Sequence, residues 1–110
     1  ELLRSIFLPA HALKKRHAFR RFSLTHLGRS ETLIIGTLCP EHGEFRLTVT
    51  ASTLRPRQFC FPAVPSADEV RGVIDGIPLE EYLADTHGSP EHRRHLTSYF
   101  SEQIRQELSA

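Results

Sequence analysis

Glu44 to Leu54 gives the clearest alternation of apolar and polar residues in the chain, with Phe45, Leu47, Val49 and Ala51 on one side and Glu44, Arg46, Thr48 and Thr50 on the other. Side chains along a strand point to opposite faces in turn, so this run predicts a strand with one buried face and one wetted face. Parallel sheets are covered on both faces, so a sheet with a wetted face is antiparallel, and its buried face needs a second layer. The end of the chain supplies one. Ser89 has the side chain of a helix N-cap, Pro90 occupies the first helical position, and Glu91 complements the positive end of the helix. Beyond them Leu96, Phe100, Ile104 and Leu108 recur every four residues with Tyr99 beside them, a stripe that has to bury against the sheet.

The remaining segments fall into place around this pair. Phe22 and Leu24 alternate with Arg21, Ser23 and Thr25, which predicts a half-buried strand within Ala18 to Leu27. Thr32 to Cys39 is apolar on both faces and reads as the central strand. A fourth strand runs from Arg57 to Phe61. Glu69 to Ile74 reads as a short fifth, closed by the Asp75-Gly76 turn, and Pro78 opens a short helix over Leu79 to Asp85. At the start, Leu2, Leu3, Ile6 and Phe7 follow helical spacing until Pro9 stops it. The expected fold is α+β: an antiparallel meander of four to five strands with an N-terminal helix and two C-terminal helices, the last packed on the sheet. It forms a single domain over residues 1–110. With no methionine anywhere, the chain reads as a domain excised from a longer protein.

Hydrophobic residues make up 39% of the chain and charged residues 25%, values of an ordinary water-soluble domain. The longest uncharged apolar stretch, Thr32 to Pro40, falls far short of the roughly 20 residues a membrane-spanning helix needs. The apolar start is interrupted by Arg4 and followed by no small-residue cleavage pattern, so no signal peptide is expected. Two cysteines are too few for a disulfide scaffold, and without asparagine there is no acceptor for N-glycosylation. These features predict a reducing, intracellular compartment, the cytoplasm or the nucleus.

Charge is unevenly spread behind a formal net charge of +1. Residues 1–30 hold seven basic side chains against the single acid Glu1, whereas residues 67–110 hold nine acids against four arginines. Such ends either face each other within the fold or offer fields to different partners. Asp85 and Glu91, near the start of the last helix, are the expected internal neutralisers. The densest basic run is Lys14-Lys15-Arg16-His17-Ala18-Phe19-Arg20-Arg21-Phe22, where cations alternate with rings as in binders of single-stranded nucleic acid. Within it, Arg20-Arg21-Phe22-Ser23-Leu24 resembles the substrate pattern of basophilic protein kinases, and a phosphate on Ser23 would add about two negative charges to the run.

Cys39-Pro40-Glu41-His42-Gly43 has two readings. As a zinc knuckle, Cys39 and His42 would be completed by His92 and His95, three residues apart on one helix face. As a hairpin turn, the same residues supply the proline, the polar positions and the left-handed glycine that a short loop needs, which is the preferred reading. Cys60, between Phe59 and Phe61, reads as a buried and unreactive thiol. No glycine-rich phosphate loop, Gly-x-Ser-x-Gly elbow or His-Glu-x-x-His motif occurs, so no catalytic residue and no cofactor are assigned.

The sequence thus predicts a non-enzymatic protein-interaction domain, an adaptor or scaffold that binds a protein or peptide through a charged face or a sheet edge. Lys14, Lys15, Arg16, Phe19, Arg20, Arg21 and Tyr82 are the expected contact residues, meeting an acidic protein surface. Two alternatives stand beside it: binding of nucleic acid or another anionic surface through the basic N-terminal third, and a small zinc protein using Cys39, His42, His92 and His95.

Overall fold

The structure, a computed structural model, describes residues 2–110. Its centre is a four-stranded antiparallel meander in the order β1-β2-β3-β4. The strands are β1 (Arg16–Ser23), β2 (Ser30–Leu38), β3 (Phe45–Thr50) and β4 (Arg57–Phe61). Helix α1 (Ala67–Asp75) follows, then a 3-10 turn at Leu79–Glu81 and the long helix α2 (Pro90–Ser109). The fold is α+β, as the alternation and the capped final helix imply. No helix among the described residues is long and apolar enough to cross a membrane.

Strand register sorts the side chains onto two faces. Ala18 stands opposite Gly36 and Gly36 opposite Leu47, while Ile34 stands opposite Val49 and Leu38 opposite Phe45, which in turn pairs with Phe61. These residues form the inner face, and with Val70, Ile74, Ile77, Tyr82, Ile104 and Leu108 they make up the core. Burying one such aliphatic or aromatic side chain contributes about 1.5–3 kcal/mol. α2 crosses β2 directly over Gly36. A Cβ at that position would overlap Ile104 Cγ2 and press on Leu108 Cδ1, so the absence of a side chain lets helix and sheet close.

The helical cap reads out as the sequence predicts. Ser89 Oγ accepts a hydrogen bond from the His92 backbone N–H at 3.2 Å and Pro90 opens the helix. The buried line differs in detail from the four-residue stripe. It runs through Arg93, Leu96, Thr97, Ser101, Ile104 and Leu108, and Phe100 is only half-buried at its margin. The first two turns therefore bury polar groups, because the connection between β3 and β4 meets them: Ser52 and Thr97 share a hydrogen bond at 3.1 Å.

Four expectations need correction. The segment expected as a fifth strand is α1. Ser66 accepts from the Glu69 backbone N–H while the Glu69 side chain accepts from the Ser66 N–H, a complete capping box, and Val70 and Ile74 lie four apart on the buried side. The helix expected over Leu79 to Asp85 is a single 3-10 turn. Leu54 N–H donates to the Glu81 carbonyl at 2.8 Å and Leu83 N–H to the Ser52 carbonyl at 3.0 Å, so tertiary pairing takes the backbone groups a helix would use. No helix forms over the apolar start. Only one turn, Ala10–Leu13, appears after Pro9, while Leu2, Leu3, Ile6 and Phe7 are exposed, and so short a helix without a packing partner is unstable in water. Lastly, β3 ends at Thr50, and Ala51 takes a left-handed conformation (φ 67°) instead of extending the strand.

Candidate functional site on the open face of the sheet

The outer face is built from the alternate residues of the same strands. Across it, His17 stands beside Thr37, Arg46 and Cys60; Phe19 beside Ile35, Thr48 and Gln58; Arg21 beside Leu33 and Thr50. None of these side chains is in the core, Phe19 is 59% exposed, and Leu33 and Ile35 are partly buried. The centre of the face is thus a small apolar patch of Phe19, Leu33 and Ile35. An aromatic ring beside a branched aliphatic chain on a wetted sheet is contact area that the fold itself does not use.

The basic run divides by the same alternation. Arg16 faces inward and donates to the α2 carbonyls of Leu108 at 3.3 Å and Ala110 at 3.2 Å, and to that of Glu107. It acts as a C-terminal cap, where a cation meets the negative end of the helix dipole. Arg20 pairs with Glu107 at 2.6 Å and donates to Gln103 Oε1 at 3.3 Å. Arg21 is held by the Gly28 carbonyl at 2.7 Å and by Ser30 Oγ. Lys14 and Lys15 make no ion pair and no side-chain hydrogen bond among the described residues. Basic and acidic ends therefore do meet, but through Glu107: Asp85 pairs instead with Arg93 at 2.8 Å, and Glu91 makes no ion pair among the described residues.

Tyr82 is removed from the contact set. Its ring is 3% exposed, within the core, and burial pushes its phenol above the usual value, where it would otherwise sit near 10.0. Phe61 is likewise buried. Phe22, on the inner side, packs edge-on against His92 with ring centroids 5.7 Å apart. Ser23, the last residue of β1, donates its hydroxyl to the Thr25 carbonyl at 2.6 Å. Cys60 faces outward and is exposed, because strand alternation puts Phe59 and Phe61 inward and the thiol on the other side.

The four residues of the zinc reading do not meet. Cys39 and His42 lie at one end of β2, where Gly43 (φ 74°) closes the hairpin turn with Gly43 N–H donating to the Cys39 carbonyl at 2.8 Å. His92 engages Glu31 at the opposite end of β2, eight residues from Cys39, about 26 Å at the rise of a strand. His95 stacks on Tyr99. Among the described residues, no group of three or more His, Cys, Asp or Glu side chains is placed to hold a metal.

A buried polar cluster lies at the His92 end, and sequence reasoning missed it. Arg93 is 1% exposed and donates to the Glu31 carbonyl at 2.6 Å, the Ala51 carbonyl at 2.7 Å and Asp85 Oδ1 at 2.8 Å. Glu31 is fully buried, its Oε1 hydrogen-bonded to His92 Nδ1, with Gly88 packed so closely that a Cβ there would overlap the carboxyl group. A backbone hydrogen bond from His87, with Arg93 adding to it, holds the Asp85 carboxyl below its ordinary value. This cluster ties the start of β2, the β3–β4 connection and the loop before α2 to the helix. It is structural: Arg93 is already saturated by the chain's own oxygens.

The opposite corner of the sheet differs. A depression of about 530 Å³ opens there, lined by Lys15, Cys39, His42, Glu44 and Arg46. No family model, curated protein or solved structure matches this chain.

Proposed function

We propose that this chain is a non-enzymatic protein-interaction domain that takes up an extended protein segment on the open face of its sheet. One observation carries the reading: the outer face presents Phe19, Leu33 and Ile35, and on the approach to the same strand stand Lys14 and Lys15, cations that the fold leaves unused. An apolar patch bordered by unspent charge suits a partner with an apolar residue and an acidic neighbour. Burial of the ring supplies affinity, and the charges steer the encounter and fix its orientation.

The edge of the sheet supports the same reading. β1 is an outer strand with only β2 beside it, so backbone groups along its other side are open to an added strand. The charge of Arg21, which no acid of the fold neutralises, disfavours pairing of two such edges, since like charges would meet across the new ladder.

The test is capture from the cell that makes the protein. Wild type should retain a defined protein that Phe19→Thr loses, and Lys14→Glu with Lys15→Glu should slow association about tenfold. Capture unchanged in both variants would remove the open face as the binding surface. Strong, steeply salt-dependent binding to heparin or DNA would favour the nucleic-acid alternative instead.

A further inference from the structure

We propose that the depression beside Lys15, His42 and Arg46 receives a phosphoryl group carried on a side chain of the protein partner. The inference rests on the reading above, that the open face takes up a protein segment, and it names the chemistry at one end of that segment.

Register brings these residues together. Arg16 stands opposite Leu38, so continuing the ladder by one step sets Lys15 beside Cys39, and the Cys39 N–H donates to the Glu44 carbonyl at 2.9 Å. Lys15, Cys39 and Glu44 form one row across the outer face, and Arg46 lies in the next row with Thr37 and His17. His42 reaches the same space from the turn whose conformation Gly43 allows. The site is therefore assembled from three parts of the chain, the approach to β1, the β2–β3 turn and β3.

Charge then selects the ligand. Lys15 and Arg46 bring two basic side chains to the depression, and among its lining residues Glu44 alone opposes them, at 3.4 Å from the Arg46 guanidinium. That contact occupies one terminal nitrogen. The other terminal nitrogen makes no hydrogen bond among the described residues and is left to meet a ligand. A phosphoryl group carries about two negative charges and presents three acceptor oxygens, one each for Arg46, Lys15 and the His42 ring. A carboxylate carries about half that charge, so the two cations hold it more weakly. The row of Phe19 and Ile35 lies beyond that of Arg46, so a segment anchored here by its phosphate reaches the apolar patch with residues further along.

The test is titration of the isotope-labelled chain with phenyl phosphate, followed by NMR. Saturable shifts at residues 15 and 42–46 are expected, with a millimolar dissociation constant that Lys15→Gln and Arg46→Gln each weaken about fivefold or more while exposed Arg71→Gln does not. Absence of saturation, equal binding of phenylacetate, or insensitivity to both variants would overturn the assignment. Capture from cell extract separates this inference from the broader reading. Phosphatase treatment should abolish capture. If treated extract still yields a partner that Phe19→Thr loses, the phosphoryl site falls and the open face stands. If capture ignores Phe19 as well, both fall.

Discussion

On the inner face of the sheet Ile34, Leu47 and Val49 are fully buried, while one residue further along the same strands Ile35, Thr48 and Thr50 remain partly open to solvent. The two faces share a backbone and a register. What separates them is the covering layer: α2, with α1 leaning on it, closes one side only. Covalent neighbours such as Arg20 and Arg21 consequently have unrelated duties. Arg20 anchors the end of α2, and Arg21 points to the other face. A run of positive charge along a strand is thus two half-runs, one serving the fold and one exposed to whatever approaches.

The sharpest way to break this division is to remove an atom group from the covered side. Ile104→Ala should cost about 2–5 kcal/mol in chemical denaturation, because the side chain is fully buried over Gly36 and the cavity cannot collapse around a glycine. Phe100→Ala should cost clearly less than the roughly 3–5 kcal/mol of a buried phenylalanine, since the ring sits at the margin of the core. If the two variants proved equally unstable, α2 would be rotated from the orientation described.

Arg93→Met comes next, at about 3 kcal/mol. The substitution keeps much of the volume but leaves the buried Glu31 carbonyl and the part-buried Ala51 carbonyl without this donor and Asp85 without its cation. A loss below about 1 kcal/mol would mean that water replaces the guanidinium, contrary to its burial. The same variant should weaken the partner only through instability, since Arg93 belongs to the covered side.

Smaller still is the effect of pH on this cluster. The Asp85 carboxyl is held low chiefly by the His87 N–H, so its contribution is present above the ordinary carboxylate value and is lost as pH falls through the lowered one. Asp85→Asn should therefore be less stable than wild type near neutrality, and the gap should begin to shrink below about pH 4 and close only below the lowered value. A gap that stays constant down to strong acid would remove the carboxylate from the account.

How far the sequence foretells these features depends on whether one residue's surroundings are local. β3 and β4 are legible because alternation needs only the strand itself, and α2 because Ser89-Pro90 announces its start. α1 was open to reading as well, from Ser66 and Glu69, but six residues with Val70, Val73 and Ile74 also fit a short strand, and that pattern is what misleads. Tyr82 looks like the surface of a helix until pairing with the β3–β4 connection pulls it inside, a tertiary effect with no local mark. Arg93 is hidden for the same reason, its partners being 62 and 42 residues away. The basic corner is intermediate. Starting β1 at Arg16 rather than Ala18 would have placed Arg16 and Arg20 together on one face and Lys15 and Phe19 on the other.

Thermal unfolding of a chain carrying both Lys15→Gln and Phe19→Thr tests the central claim, that the outer face has no part in holding the fold. Threonine keeps the strand preference and removes the ring, and glutamine removes the charge. The variant should melt within about 3 °C of wild type, as surface changes do. A fall of about 10 °C or more would show that the outer face is part of the core and contradict the division between the two faces.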